Sequence, residues 1–300
     1  MRTYRPLSLL PVLISALLFL AGAVMLHAQS SRVINVVAAE NFYGNIVQQI
    51  GGGLVSVTSV MSDPNVDPHE YESNVEDAKA IAEADLVIEN AGGYDDWMDK
   101  LLSASPKVSR IVLKGFDLAV KKLPENEHVW YNVDNAQAIS LAVSRSLQKL
   151  LPESAAVFMK NERAFQESLG VVRQKMAQVA GRYSGTPIAL TETIFLYQAL
   201  PLGLKVLTPF EFQKAIAEGN DPPADTVVET ENQIRQRQVK ILVYNEQTIS
   251  SITSKVQDDA KAAGVPVVGV TETMPPGETY QTWMLRQLDE LRSALIQAGS

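Results

Sequence analysis

Between Pro152 and Gly185 the chain runs for about 30 residues with nothing to stop a helix, and that stretch divides everything else in two. Apolar residues recur there at helical spacing: Val157, Phe158, Phe165, Leu169, Val172, Met176 and Val179. A helix of that length is about 45 Å long, with Gly170 the place where it would bend. Pro152 closes the preceding helical pattern, 135–151, and Gly185 to Pro187 returns the chain to short apolar runs. On either side, such runs alternate with amphipathic stretches. Strands are expected at 33–38, 55–61, 86–90 and 109–113, and again at 188–191, 205–207, 241–244 and 265–270. Helices are expected at 43–50, 74–84, 94–102, 231–237 and 250–263. Asn74 with Asp77 three residues on reads as a helix start, and Gly264 as a helix end. Strand-helix alternation implies parallel strands covered by helices. The expected fold is therefore α/β: two lobes, each with a mostly parallel sheet flanked by helices, joined by one long rigid helix. The first lobe spans 32–150, the linking helix 152–184 and the second lobe 185–300.

The first 28 residues read as a secretory leader. Arg2 and Arg5 precede an apolar run over 7–26, and Ala28 offers a small residue at the exit before Gln29-Ser30-Ser31. The run is also long enough to remain as a membrane anchor. The chain contains no cysteine. An exported protein of this kind therefore has no disulfides and no acylated lipoprotein cysteine, and any metal site must use His, Asp and Glu. The net charge of −8 argues against nucleic acid, which needs a basic face.

His27 leaves with the leader, so the mature chain has two histidines. His69 sits in Asp67-Pro68-His69-Glu70-Tyr71-Glu72, a loop stiffened by Pro68 shortly after the strand 55–61. His128 sits in Asn126-Glu127-His128-Val129-Trp130-Tyr131-Asn132, beside an aromatic pair that suggests a partly buried wall. Glu192 follows the strand 188–191, and Glu272 follows 265–270. Carboxyl ends of parallel strands are where open α/β sheets place ligand groups. Taken singly, these are a surface histidine, a packed histidine and two helix-capping charges. Taken together, two imidazoles from the first half and two acids from the second would converge on a cleft between lobes. Nitrogen with carboxylate oxygen suits divalent Mn, Fe or Zn at about 2–2.3 Å. Glu70 and Glu72 read as solvated or as partners of ligands, and Trp97, Trp130 and Trp283 as core or lobe-junction residues.

Asp67-Pro68-His69-Glu70-Tyr71-Glu72, with Ala82-Glu83-Ala84-Asp85-Leu86-Val87 after it, resembles the solute-binding subunits of zinc and manganese ABC importers. Asn126-Glu127-His128-Val129-Trp130-Tyr131 resembles that family's second histidine segment. Leu190-Thr191-Glu192 and Gly277-Glu278-Thr279-Tyr280 fall where its later segments would. The resemblance spans essentially the whole mature chain. It implies two α/β lobes bridged by a rigid helix, with His69, His128 and Glu192 as metal ligands. Glu272 would replace the family's usual Asp at the fourth place, with Glu246 in a neighbouring strand-end loop as the other candidate. Glu127 stands where Pro is usual, and Asn132-Val133 where Asp-Pro is usual; both changes could loosen the second loop. No histidine lies between Lys121 and Glu127, where zinc-specific relatives often carry a His-rich loop. The implied cargo is Mn2+ or Zn2+, with Fe2+ also suited, and the implied partner is a membrane permease of the ABC type. The protein would be a monomer outside the cytoplasm. A metallohydrolase is disfavoured, since no His-Glu-x-x-His helix is present. An adhesion or sensory protein of the same fold is the remaining alternative.

Overall fold

The computed structural model describes residues 1–3, 32–63, 66, 71 and 73–299. The chain divides into two units, Met1–Arg32 and Val33–Ser300, and the fold is that of the second. Beyond its first three residues the expected leader, with His27 and Ala28, lies outside the described residues. So do Asp67, Pro68, His69, Glu70 and Glu72 of the first histidine motif.

The first half contains β1 (Ile34–Glu40), α1 (Asn41–Gly51), β2 (Val55–Met61), α2 (Val75–Glu83), β3 (Leu86–Glu89), α3 (Asp96–Ala104), β4 (Ile111–Lys114) and α4 (Gly115–Leu118). Two helices follow, α5 (Val133–Leu150) and α6 (Ala155–Tyr183). The second half contains β5 (Pro187–Leu190), α7 (Leu196–Ala199), β6 (Lys205–Val206), α8 (Phe210–Ala217), α9 (Ala224–Arg235), β7 (Leu242–Asn245), α10 (Ser251–Ala263), β8 (Val267–Val270) and α11 (Tyr280–Gly299). Every paired strand is parallel. The two sheets have the same order, β2-β1-β3-β4 and β6-β5-β7-β8, so the rhythm seen in the sequence is a repeated topology. In each sheet the order reverses beside the first strand, between β1 and β3 and between β5 and β7. Open α/β sheets bind ligands outside the carboxyl ends of strands at such points.

Local chemistry explains most element boundaries. Asn74 and Asp77 form a reciprocal capping box that opens α2: the Asp77 N–H donates to Asn74 Oδ1 at 3.1 Å, and the Asn74 N–H to Asp77 Oδ2 at 2.9 Å. Gly264, at φ 69°, supplies the left-handed residue that ends α10. Helix α9 starts at Ala224, seven positions before the expected 231, because Pro223 at φ −53° leads straight into a helix. Helices α8 and α11, with the single-turn α4 and α7, lie outside the expected set. Helix α11 is opened by Thr279, whose hydroxyl accepts from the Thr282 N–H while its own N–H donates to the Thr282 hydroxyl.

Helix α6 runs unbroken through Gly170, where an added Cβ would meet nothing within 4 Å. Its buried stripe is Phe158, Glu162, Phe165, Leu169, Val172 and Val179, a three-four spacing that keeps one face inward, with Val157 exposed. That face packs on α1, α5 and α11. One apolar core therefore passes from β1 through α1, α5, α6 and α11 into β5, β7 and β8, with a smaller cluster on the outer side of each sheet. At its centre Phe42 stacks on Trp130, ring centroids 4.5 Å apart and 15° from parallel, with Trp283 beyond. Trp97, Trp130 and Trp283 are all buried, as expected. A core continuous through both lobes resists separation of the sheets, because opening would expose these large rings.

Candidate metal centre

His128 reaches the site through a loop that several amides pin. Asn135, in the first turn of α5, exchanges two hydrogen bonds with the Lys121 backbone, both 2.7 Å, and donates to the Val129 carbonyl at 2.9 Å. Asn132 caps the same helix, accepting from the Asp134 and Asn135 N–H groups. Asn90, at the end of β3, donates to the Glu127 carbonyl at 3.0 Å and accepts from the Tyr43 hydroxyl at 2.6 Å. The departures at Glu127 and Asn132-Val133 therefore do not leave this loop loose; amide side chains hold it instead.

The imidazole itself is oriented by Asn126. The Asn126 amide nitrogen donates to the Thr193 carbonyl at 2.8 Å, which fixes which end of the amide is oxygen. That oxygen lies 3.0 Å from His128 Nδ1 and accepts its proton, so Nε2 is the basic nitrogen. Histidines that ligate metals are held in this way, by an acceptor on the opposite ring nitrogen. Tyr94 and Trp130 flank the ring, with centroids 5.8 and 5.2 Å away.

Glu192 follows β5 and is 2% exposed; Glu272 follows β8 and is fully buried. One carboxylate oxygen of each and one His128 nitrogen lie within 4.8 Å of one another. Neither acid is merely a capping charge, since both face a buried imidazole. Two carboxylates buried side by side repel, and a divalent cation between them offsets both charges. Among the described residues the structure thus brings together three of the four expected ligands. Glu246, the other candidate for the fourth place, is elsewhere. Its carboxylate lies across Gly269, filling the space a Cβ there would need, with Arg286 and Glu290 as charged neighbours.

Glu272 is held by Asn245, Tyr94 and Gln247, which lie outside the expected ligand set. Its Oε1 accepts from Asn245 Nδ2 at 2.5 Å and its Oε2 from the Tyr94 hydroxyl at 2.8 Å. The Glu272 and Thr273 N–H groups donate to Gln247 Oε1 at 2.7 and 3.0 Å, while Gln247 Nε2 donates to the Val66 carbonyl at 3.0 Å. Asn41, opening α1, exchanges two bonds with the Met274 backbone. Asn245 ends β7 as Glu192 follows β5, and that shared position was the available signal. Nothing local marked Tyr94. It stands in a tight turn made by Ala91, Gly92 and Gly93, all at positive φ, and closed by Asp95 accepting from the Asn90 and Ala91 N–H groups at 2.6 Å.

Behind the site, Glu40 ends β1, Glu89 ends β3, and Asp95 follows on the Tyr94 turn, all essentially buried. Burial first, then the charge of Asp95, raises the Glu40 carboxyl well above its ordinary range. Burial pushes Glu89 up to about 7 despite its ion pair with Lys114 at 3.0 Å.

A family model, zinc-uptake complex component A periplasmic (ZnuA), matches residues 36–294. The metal ABC transporter substrate-binding lipoprotein FimA of Streptococcus parasanguinis is 26% identical over 296 residues, covering 89% of this chain and 91% of FimA. The manganese ABC transporter substrate-binding lipoprotein PsaA of Streptococcus pneumoniae serotype 4 is 24% identical over 309 residues, covering 97% of this chain and 98% of PsaA. Among solved structures, the periplasmic zinc-binding protein TroA of Treponema pallidum superposes with a TM-score of 0.73 at 23% identity, over 88% of this chain and 99% of TroA.

Proposed function

Given that the chain belongs to the periplasmic zinc-uptake component A family, we propose that it captures one Mn2+ or Zn2+ ion outside the cytoplasm, with Fe2+ also suited, and delivers it to the permease of an ABC importer. The ligands in this reading are His69, His128, Glu192 and Glu272, two from each lobe. The first lobe is 32–150, the linking helix 152–184 and the second lobe 185–300. The observation that carries the reading is the convergence of His128, Glu192 and Glu272, buried and within 4.8 Å of one another, at the carboxyl side of the sheets. An N/O donor set with two acids takes Mn2+, Fe2+ and Zn2+, and its hardness suits Mn2+ better than an all-histidine site would. The protein catalyses no reaction: four protein ligands close the coordination sphere where a metallohydrolase keeps one position open for water.

The shared core makes a wide hinge motion costly, so the ion meets His128, Glu192 and Glu272 already arranged, and release needs the importer to disturb the cage. Residues 1–28 direct export. No helix among the described residues is long and apolar enough to cross a membrane. The curated relatives are named lipoproteins, whereas this chain has no cysteine to acylate. It works as a monomer. Thermal unfolding of chelator-stripped protein tests the reading. Mn2+ or Zn2+ at a hundredfold excess over Kd should add about 2.7 kcal/mol of stability, and Glu192→Ala should abolish the gain. A melting point indifferent to both ions overturns it.

A further inference from the structure

Glu272 comes from the second lobe, yet one of its two carboxylate oxygens is held by a residue of the first. Tyr94 donates its hydroxyl proton to Oε2 at 2.8 Å, and Asn245 donates to Oε1 at 2.5 Å. The two bonds approach one carboxylate from opposite lobes, and so fix the plane of a side chain that otherwise has three rotatable bonds. The Tyr94 ring is itself immobile. It is 2% exposed, packs edge-on to His128, and lies 4.6 Å from the Trp130 ring. Its backbone is held by the turn that Asp95 closes. A single side chain thus touches one proposed ligand through its ring and orients another through its hydroxyl.

We propose that Tyr94 is a positioning residue that sets the Glu272 carboxylate for the ion, joining the first lobe to the fourth ligand. This rests on the metal-binding reading above. A glutamate reaches one methylene further than an aspartate and has one more torsion to restrain. The hydroxyl supplies that restraint without itself becoming a ligand. Drawing charge from Oε2 makes the carboxylate a slightly weaker donor, but partners that orient ligands typically add ten- to a hundredfold to metal affinity.

Tyr94→Phe removes the hydroxyl and keeps the ring contacts. In the full chain, calorimetric titration should show Mn2+ bound about tenfold more weakly, with the melting point of the metal-free protein little changed. The visible d–d spectrum of the Co2+ form should also shift, which a purely structural role would not produce. The decisive arm is a double-mutant cycle: in a Glu272→Ala background, Tyr94→Phe should change Mn2+ affinity less than twofold. Unchanged affinity and spectrum in Tyr94→Phe, or an equal loss in the Glu272→Ala background, would overturn the role. Should Tyr94→Phe not fold, the hydroxyl proton of Tyr94 serves instead. In metal-free protein it should give a slowly exchanging downfield NMR resonance that vanishes in Glu272→Ala, and its persistence there would overturn the proposal. A wild-type chain that takes up neither Mn2+, Zn2+ nor Co2+ sinks the metal-binding reading, whereas normal wild-type binding with an indifferent Tyr94→Phe sinks only this one.

Discussion

Replacing Glu89 by Gln should make the protein more stable, with a gain that grows as pH rises above about 4.5 and levels off above about 7. Glu89 ends β3 with its side chain 1% exposed, and burial lifts its carboxyl from 4.5 to about 7. The folded chain therefore binds this proton more tightly than the unfolded chain does. A raised carboxyl favours folding fully below about pH 4.5, and that advantage is lost as pH climbs through the folded value near 7. At about 1.4 kcal/mol per decade, the rise from 4.5 to about 7 corresponds to about 3.5 kcal/mol at most. The ion pair with Lys114 already enters that balance, lowering the carboxyl against burial. Lys114 also keeps its 3.0 Å pair with Asp99 when Glu89 is neutral. A realistic gain for Glu89→Gln at pH 8 is thus about 1–2 kcal/mol, falling to near zero at pH 4.5. Removing the charge should also ease Glu40, which Glu89 helps to raise. The assay is urea unfolding at several pH values in the presence of a chelator, so that metal linkage does not enter. A variant with the same pH slope as wild type, or one less stable at pH 8, would refute the reasoning.

Asn126→Ala removes the 3.0 Å acceptor on His128 Nδ1, leaving the Thr193 hydroxyl at 3.4 Å, and replaces no proposed ligand. Mn2+ or Zn2+ affinity should fall ten- to a hundredfold by competition with a chelating dye, with the fold intact by circular dichroism. Phe165→Ala opens a hole in the buried face of α6 beside Tyr280, and should cost about 3–5 kcal/mol in urea unfolding. Because the core is continuous through both lobes, the loss should appear in one transition rather than in a separate unfolding of one half.

Periodicity made the architecture legible. The expected strand 55–61 coincides with β2, and the three-four spacing between Pro152 and Gly185 marks α6, which starts at Ala155 after a separate turn over Pro152–Ser154. Four helices lie outside the expected pattern: α4 and α7 are single turns, too short to show a period, while α8 and α11 are opened by Pro209 and by a Thr-Thr cap, signals that carry no apolar period. Glycine at 170 permits a bend, but permission is not a cause, and packing on α1, α5 and α11 keeps α6 unbroken. The acids past strand ends were readable because parallel sheets point their carboxyl ends at ligands. Tyr94 was not, since its role depends on a turn of one lobe meeting Glu272, 178 positions away, on the other. The amides Asn126 and Asn90 were equally silent, because hydrogen-bonding a loop into place leaves no period in the sequence.

Anomalous diffraction from crystals grown with Mn2+, recorded on both sides of the metal edge, addresses the central claim most directly. One peak is expected, about 2–2.3 Å from a His128 nitrogen and from carboxylate oxygens of Glu192 and Glu272, with His69 completing the cage. A peak elsewhere on the chain, or none while those three side chains stay in place, would contradict it.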